Sequence, residues 1–198
     1  MNSITRSWLT WKHKRKFTRL GKSCRYPITN LTVDGHLEQG DRGRLRNNST
    51  FRTHGNGKII FGNRAGCSWG CLFEAWDRIE IGDYSGIAEY TVLCDTVFDS
   101  VGNTDSHHDM KRISKPIIIG SQCFIGSNCY IGPGVTIGDG AVVAHHSIVT
   151  RDVGPYEIWG GTPARKMGHR TEGVPEAKMK ELERLVEEQG IQTDRYLG

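Results

Sequence analysis

Two adjacent histidines, His107 and His108, stand in the polar run FDSVGNTDSHHDMKRISKP, with Asp105 and Asp109 close on either side. An imidazole with a reference pKa of about 6.5 is mostly neutral at pH 7 yet can accept a proton there. It therefore suits a general base acting on a hydroxyl or amine. A neighbouring carboxylate can orient the ring and stabilise its charged form. Most histidine pairs in loops are simply solvated, so the surrounding elements decide what this one means. A second pair, His145 and His146, adds imidazoles that suit a zinc ion.

The elements are announced by a period of six. From Ile119 the chain reads IGSQCF, IGSNCY, IGPGVT, IGDGAV, VAHHSI, VTRDVG. Aliphatic residues recur at Ile119, Ile125, Ile131, Ile137, Val143 and Val149. Small or modest side chains follow four places later, at Cys123, Cys129, Val135, Ala141, Ser147 and Val153. Neither a helix nor a long strand has this period. It fits short strands separated by corners, three hexads to a triangular coil, with coils stacked about 4.8 Å apart. The frame is also visible at Ile81, Ile87 and Leu93, and more weakly at Phe61, Cys67 and Phe73, with a two-residue slip near Ile79. Before residue 59 it fades, although Leu45 and Phe51 continue the spacing.

Between Val97 and Ile117 the frame breaks, and the His107–His108 run reads as a loop thrown out from a rigid solenoid. Three segments follow. Residues 1–58 form a basic N-terminal segment with possible irregular first coils, and residues 59–170 the β-helix with a loop at 99–116. Residues 171–198 form a C-terminal helix and tail, the helix opening at Pro175 with Met179, Leu182, Leu185 and Val186 on one stripe.

Composition narrows the class. Gly occurs 25 times in 198 residues, beside abundant Ile and Val, as a β protein with frequent tight turns requires. No stretch is long and apolar enough for a membrane helix, and no apolar segment backs the basic N-terminus, so a cytoplasmic location is expected. The cysteines, Cys24, Cys67, Cys71, Cys94, Cys123 and Cys129, then read as reduced thiols; no spacing matches a zinc pattern and no metal is expected. Residues 1–33 carry eight Lys and Arg and no acid. With Trp8, Trp11 and Phe17 that arm suits peripheral contact with an anionic surface, or packing on its own domain.

The hexads, KPIIIG ahead of them, and SIVTRDV and GGTPARKM behind them resemble the hexapeptide-repeat acyltransferase superfamily, especially its sugar and antibiotic O-acetyltransferase branch. The resemblance covers about residues 59–170. It implies an all-β, left-handed parallel β-helix, an exception to the usual right-handed crossover. It further implies a homotrimer and acetyl transfer from acetyl-CoA to a hydroxyl of a saccharide or related small molecule. The loop base maps to His107 or His108, with Asp105 or Asp109 as its orienting partner. For CoA the matching positions are Ser127, Ala144, His145, Thr150 and Arg151, with Arg165, Lys166 and Arg170 for the phosphates. His145 and His146 stand where small residues are usual, Phe124 where Trp is common, and Gly154-Pro155 in place of Pro-Pro.

Two other readings use the same scaffold. A γ-class carbonic anhydrase would hold zinc on three histidines, but its H-x4-H pair is absent. A non-catalytic trimeric binding module would use the basic arm and leave the loop histidines idle. Nucleic acid is not an expected partner.

Overall fold

The computed structural model describes residues 17–26, 31–100 and 110–172, together with Lys180 and Arg184. His107, His108, Asp105 and Asp109 lie outside the described residues, as do Trp8 and Trp11. Lys180 and Arg184 are helical; the remainder of the expected C-terminal helix also lies outside them.

The chain winds into stacked triangular coils. Coil one holds β1 (Arg19–Leu20) and β2 (Thr32–Asp34), and coil two β3 (Leu37–Gln39), β4 (Arg44–Leu45) and β5 (Thr50–Thr53). Coil three holds β6 (Lys58–Phe61), β7 (Gly66–Cys67) and β8 (Leu72–Ala75); coil four holds β9 (Arg78–Ile81), β10 (Gly86–Ile87) and β11 (Val92–Cys94). The chain then leaves the prism through a flap, β12 (Thr96–Phe98) and β13 (Arg112–Ser114). It returns for coil five, β14 (Ile117–Ile119), β15 (Phe124–Ile125) and β16 (Tyr130–Ile131), and coil six, β17 (Thr136–Ile137), β18 (Val142–Val143) and β19 (Ile148–Val149). A last strand, β20 (Glu157–Gly161), folds back as a hairpin with β21 (Ala164–His169).

Like strands of successive coils pair in parallel and make three faces. Face A runs β1-β3-β6-β9-β14-β17, face B runs from β4 through β7, β10, β15 and β18 to β20 and β21, and face C runs β2-β5-β8-β11-β16-β19. Ile119 stacks on Ile137, Ile125 on Val143, and Ile131 on Val149. All are almost wholly buried, as are Cys123, Cys129, Val135, Ala141 and Ser147 in the second inward column. No coil can bury its apolar side alone, so this ladder is what holds the stack together.

Five successive corners of the later coils turn through a left-handed residue at the third place after the aliphatic one: Gln122, Asn128, Gly134, Gly140 and His146 all have φ between 57 and 77°. The place before it often carries a side chain that accepts the N–H of the coil below. Asp83 Oδ1 receives Asn63 N at 2.7 Å, and Asp139 Oδ1 receives Ser121 N at 2.6 Å. The place after the aliphatic residue is tight. A Cβ at Gly82 would stand 2.6 Å from the Gly120 carbonyl carbon, so glycine is required there.

The stack begins well before residue 59. Leu37, Leu45 and Phe51 are buried, and Phe51, Phe61 and Phe73 pack on one another with ring centroids 5.0–5.9 Å apart. Ile59 stacks on Ile79, a longer step than the eighteen residues from Ile119 to Ile137. The early coils are therefore wider, and aromatic rings fill them. The slip near Ile79 is the corner between faces C and A, which holds Trp76 and Asp77.

Candidate active site

The root of the flap is the most elaborate corner in the fold. Asp95, fully buried, ends coil four. Its Oδ1 accepts Trp76 N and its Oδ2 accepts Asp77 N, both at 2.8 Å. Its main chain joins the same point: Asp95 N donates to Glu74 O, and Lys115 N donates to Asp95 O. Burial pushes the Asp95 carboxyl above its ordinary value, against the pull of these N–H groups. From this clamp β12 and β13 run out antiparallel, Thr96 opposite Ser114 and Phe98 opposite Arg112.

A stack of planar groups ties the flap to the prism. Arg112 lies 4.3 Å above the Trp76 ring and 5.1 Å from Phe98. Trp76 in turn stacks on His54 at 4.2 Å, and His54 Nε2 meets Glu74 Oε1 at 3.0 Å. The flap that carries His107 and His108 thus leaves from a fixed base. Its apolar side chains Val97, Phe98 and Ile113 are about two-fifths exposed.

A second cluster occupies the corner between faces B and C. Glu89 accepts the Ser68 hydroxyl at 2.6 Å and the Ser127 hydroxyl at 2.8 Å. Hydrogen bonds from Ser68, from its own backbone and from Ser127 hold the Glu89 carboxyl down at about 2. Ser127 N donates to His145 Nδ1 at 2.8 Å. His145 therefore does for this corner what Asp139 does for its own. An N–H aimed at Nδ1 places the proton of the neutral ring on Nε2. In this geometry His145 presents a hydrogen-bond donor at Nε2. The ring edge also meets Phe124, with centroids 6.1 Å apart.

The expected CoA residues fall on several edges of the prism. Ser127, Ala144 and His145 share the B–C edge. Thr150 and Arg151, both exposed, lie on the C–A edge below the flap root. Arg170 reaches the A–B edge, where Nη1 donates to Gly140 O at 2.7 Å and Gln122 O at 3.2 Å. Lys166 Nζ is held by Glu157 Oε1 at 2.7 Å, so its charge is balanced within the hairpin. Lys166, then Trp159 and Gly154 N, hold the Glu157 carboxyl at about 2. Arg165 bonds only the adjacent Ala164 carbonyl and keeps its charge free among the described residues. Within one chain these eight residues do not close a single pocket.

All six cysteines are unpaired. Burial pushes Cys67 well up and Cys123 up to about 11, which keeps both as thiols rather than nucleophiles. Among the described residues no three His, Cys, Asp or Glu side chains converge as a metal site. Sequence reasoning missed Glu89, Asp95, Trp76 and Arg112. Only the corner position of Glu89, shared with Ser127 and His145 in the repeat frame, carried a signal.

Residues 116–151 match a family described as the hexapeptide repeat of succinyl-transferase. No curated protein matches the chain. Among solved structures, the N-acyltransferase AntD from Bacillus cereus, with dTDP and 3-hydroxybutyryl-CoA, superposes with a TM-score of 0.74 at 20% identity, over 92% of this chain and 96% of that one. A variant of AntD, with dTDP-4-amino-4,6-dideoxyglucose and coenzyme A, gives 0.75 at 20% identity, over 91% and 95%. A hexapeptide-repeat acetyltransferase from Vibrio cholerae, VCA0836, with acetyl-coenzyme A, gives 0.62 at 25% identity, over 85% and 79%. The fold is that of the hexapeptide-repeat acyltransferases. The left-handed parallel β-helix that the family resemblance implies is the architecture observed, and the likeness extends through the early coils as well as the regular ones.

Proposed function

We propose that the protein is a CoA-dependent acyltransferase that moves an acetyl or similar group from the thioester to a hydroxyl of a saccharide acceptor. The observation that carries this reading is the prism interrupted at one corner by a histidine-bearing flap on a fixed base, in a fold whose solved likenesses hold CoA or acetyl-CoA. In the proposed step the acceptor oxygen attacks the thioester carbonyl as His107 or His108 takes its proton. The carbon–sulfur bond then breaks, and the proton passes to the departing thiolate to give free CoA. Asp105 or Asp109 would orient the ring.

The split of the CoA residues between edges supports an assembly of several copies. Thr150 and Arg151 share the flap's edge, whereas Ser127, Ala144 and His145 face another. A pocket drawing on both sets forms where the flap edge of one copy meets the B–C edge of a neighbour. The half-exposed Val97, Phe98 and Ile113 suit such a contact. A homotrimer is the expected state.

The test is thiol release from acetyl-CoA with a panel of neutral, amino and phosphorylated sugars, with mass analysis of each acceptor. Turnover with a sugar hydroxyl is expected. Transfer only to amino sugars would replace O-acylation by N-acylation, and no release with any acceptor would contradict the proposal.

A further inference from the structure

A groove of about 840 Å³ runs along face B from the early coils to Phe124 and His145. Five arginines line it: Arg25, Arg42, Arg44, Arg46 and Arg64. The strand register explains the shape. The outward positions of successive coils are Arg25, Arg44, Gly66, Gly86 and Phe124, each paired with the next. Two consecutive glycines remove the side chains that would otherwise cover the face. A Cβ at Gly66 would stand 1.9 Å from Arg44 O, so close strand approach explains that glycine. A Cβ at Gly86 would meet nothing within 4 Å; that gap is open space.

The arginines are not neutralised within the fold. None of the five makes an ion pair with a carboxylate among the described residues, whereas Arg19 and Arg78 do. Arg25 sits directly opposite Arg44, one strand spacing away, where like charges repel. Arg46 lies 5.1 Å over Trp69 and Arg64 5.3 Å over Tyr84. Stacking fixes the guanidinium plane and leaves its N–H edge to bond in that plane. The one carboxylate in the lining, Glu89, is at the far end and already engaged by two serines.

A single carboxylate is satisfied by one bidentate arginine. Five uncompensated guanidinium groups around one groove match a ligand that concentrates two or more negative charges. We propose that this groove binds the phosphate or diphosphate group of a phosphorylated acceptor. The rest of the molecule runs over the Gly86 floor towards Glu89, Phe124 and the His145 Nε2–H. The ligand's role as acceptor rests on the acyl-transfer reading; the anion site itself does not.

Calorimetric titration of pyrophosphate and, separately, of CoA tests this on three proteins: wild type, Arg25→Ala/Arg44→Ala, and Arg52→Ala/Arg78→Ala. The last removes the same charge from faces C and A. Charge-assisted hydrogen bonds imply roughly 100-fold weaker pyrophosphate binding for the groove variant. The control variant is expected to bind like wild type, and CoA affinity to be the same in all three. The groove variant is expected to melt no lower than wild type, because a like-charge contact has gone. The proposal is overturned if wild type does not bind pyrophosphate, or if both variants weaken equally, which would mean diffuse charge. Parallel loss of CoA binding in the groove variant would overturn it too, by giving the arginines to the donor's phosphates. Pyrophosphate binding without CoA binding would instead sink the acyl-transfer reading and leave the anion groove standing.

Discussion

Replacing both His107 and His108 by Ala is expected to lower kcat by about 10²- to 10⁴-fold, the usual contribution of a positioned general base. KM for acetyl-CoA should change little, because neither imidazole is assigned to hold the donor. The single variants identify the base: one should carry nearly the whole loss and the other a small part. Steady-state thiol release across pH gives a second readout. In wild type the rate should rise through the imidazole pKa, near 6.5 for an unperturbed ring, and this limb should vanish in the variant lacking the base. A double variant that turns over like wild type would remove histidine catalysis from the flap.

The second large effect concerns Asp95. Among the described residues its carboxylate is the only side-chain acceptor given to Trp76 N and Asp77 N at the corner from which the flap departs. Asp95→Ala leaves both part-buried N–H groups without that acceptor, at up to about 3 kcal/mol each, and the loss is therefore up to about 6 kcal/mol. Against a total stability of about 5–15 kcal/mol, that is a large fraction. Denaturant unfolding should show a lower midpoint with the slope unchanged. Because the stack of Arg112, Trp76 and His54 stands on the same corner, turnover should fall as well, even where the variant remains folded. A variant that unfolds at the wild-type midpoint would mean that the clamp contributes nothing. Asp95→Asn keeps one acceptor and turns an amide N–H towards the other donor, so it should fall between the two.

These two residues also mark how far the sequence could be read. From Ile119 to Val153 every inward position was legible, because each coil repeats at eighteen residues and the same kinds of side chain return to the same columns. The early coils were harder to see. There the repeat lengthens and rings such as Phe51 and Phe73 replace aliphatic residues, so spacing and residue type shift together. Asp95 and Glu89 each stand alone in the sequence. What they do depends on partners about twenty to forty residues away, Trp76 for one and Ser68 and Ser127 for the other, that only coil stacking brings alongside. The same holds for the arginine groove, whose members are scattered from Arg25 to Arg64. Lys166 shows the reverse case. Its residue type suited a phosphate, but the hairpin gives it Glu157 as a partner. His145 was expected to touch CoA; its Nδ1 proves to be occupied by a corner N–H, which leaves Nε2 as the other ring nitrogen.

The most direct test is a crystal structure of the protein grown with acetyl-CoA. The account predicts the thioester beside the flap, with a His107 or His108 nitrogen within about 3–3.5 Å of the place an attacking oxygen would occupy. The pantetheine arm should run between the Thr150–Arg151 edge of one copy and the Ser127–His145 edge of the next. Acetyl-CoA bound on a face that no flap histidine can reach, from its own copy or a neighbour's, would contradict it.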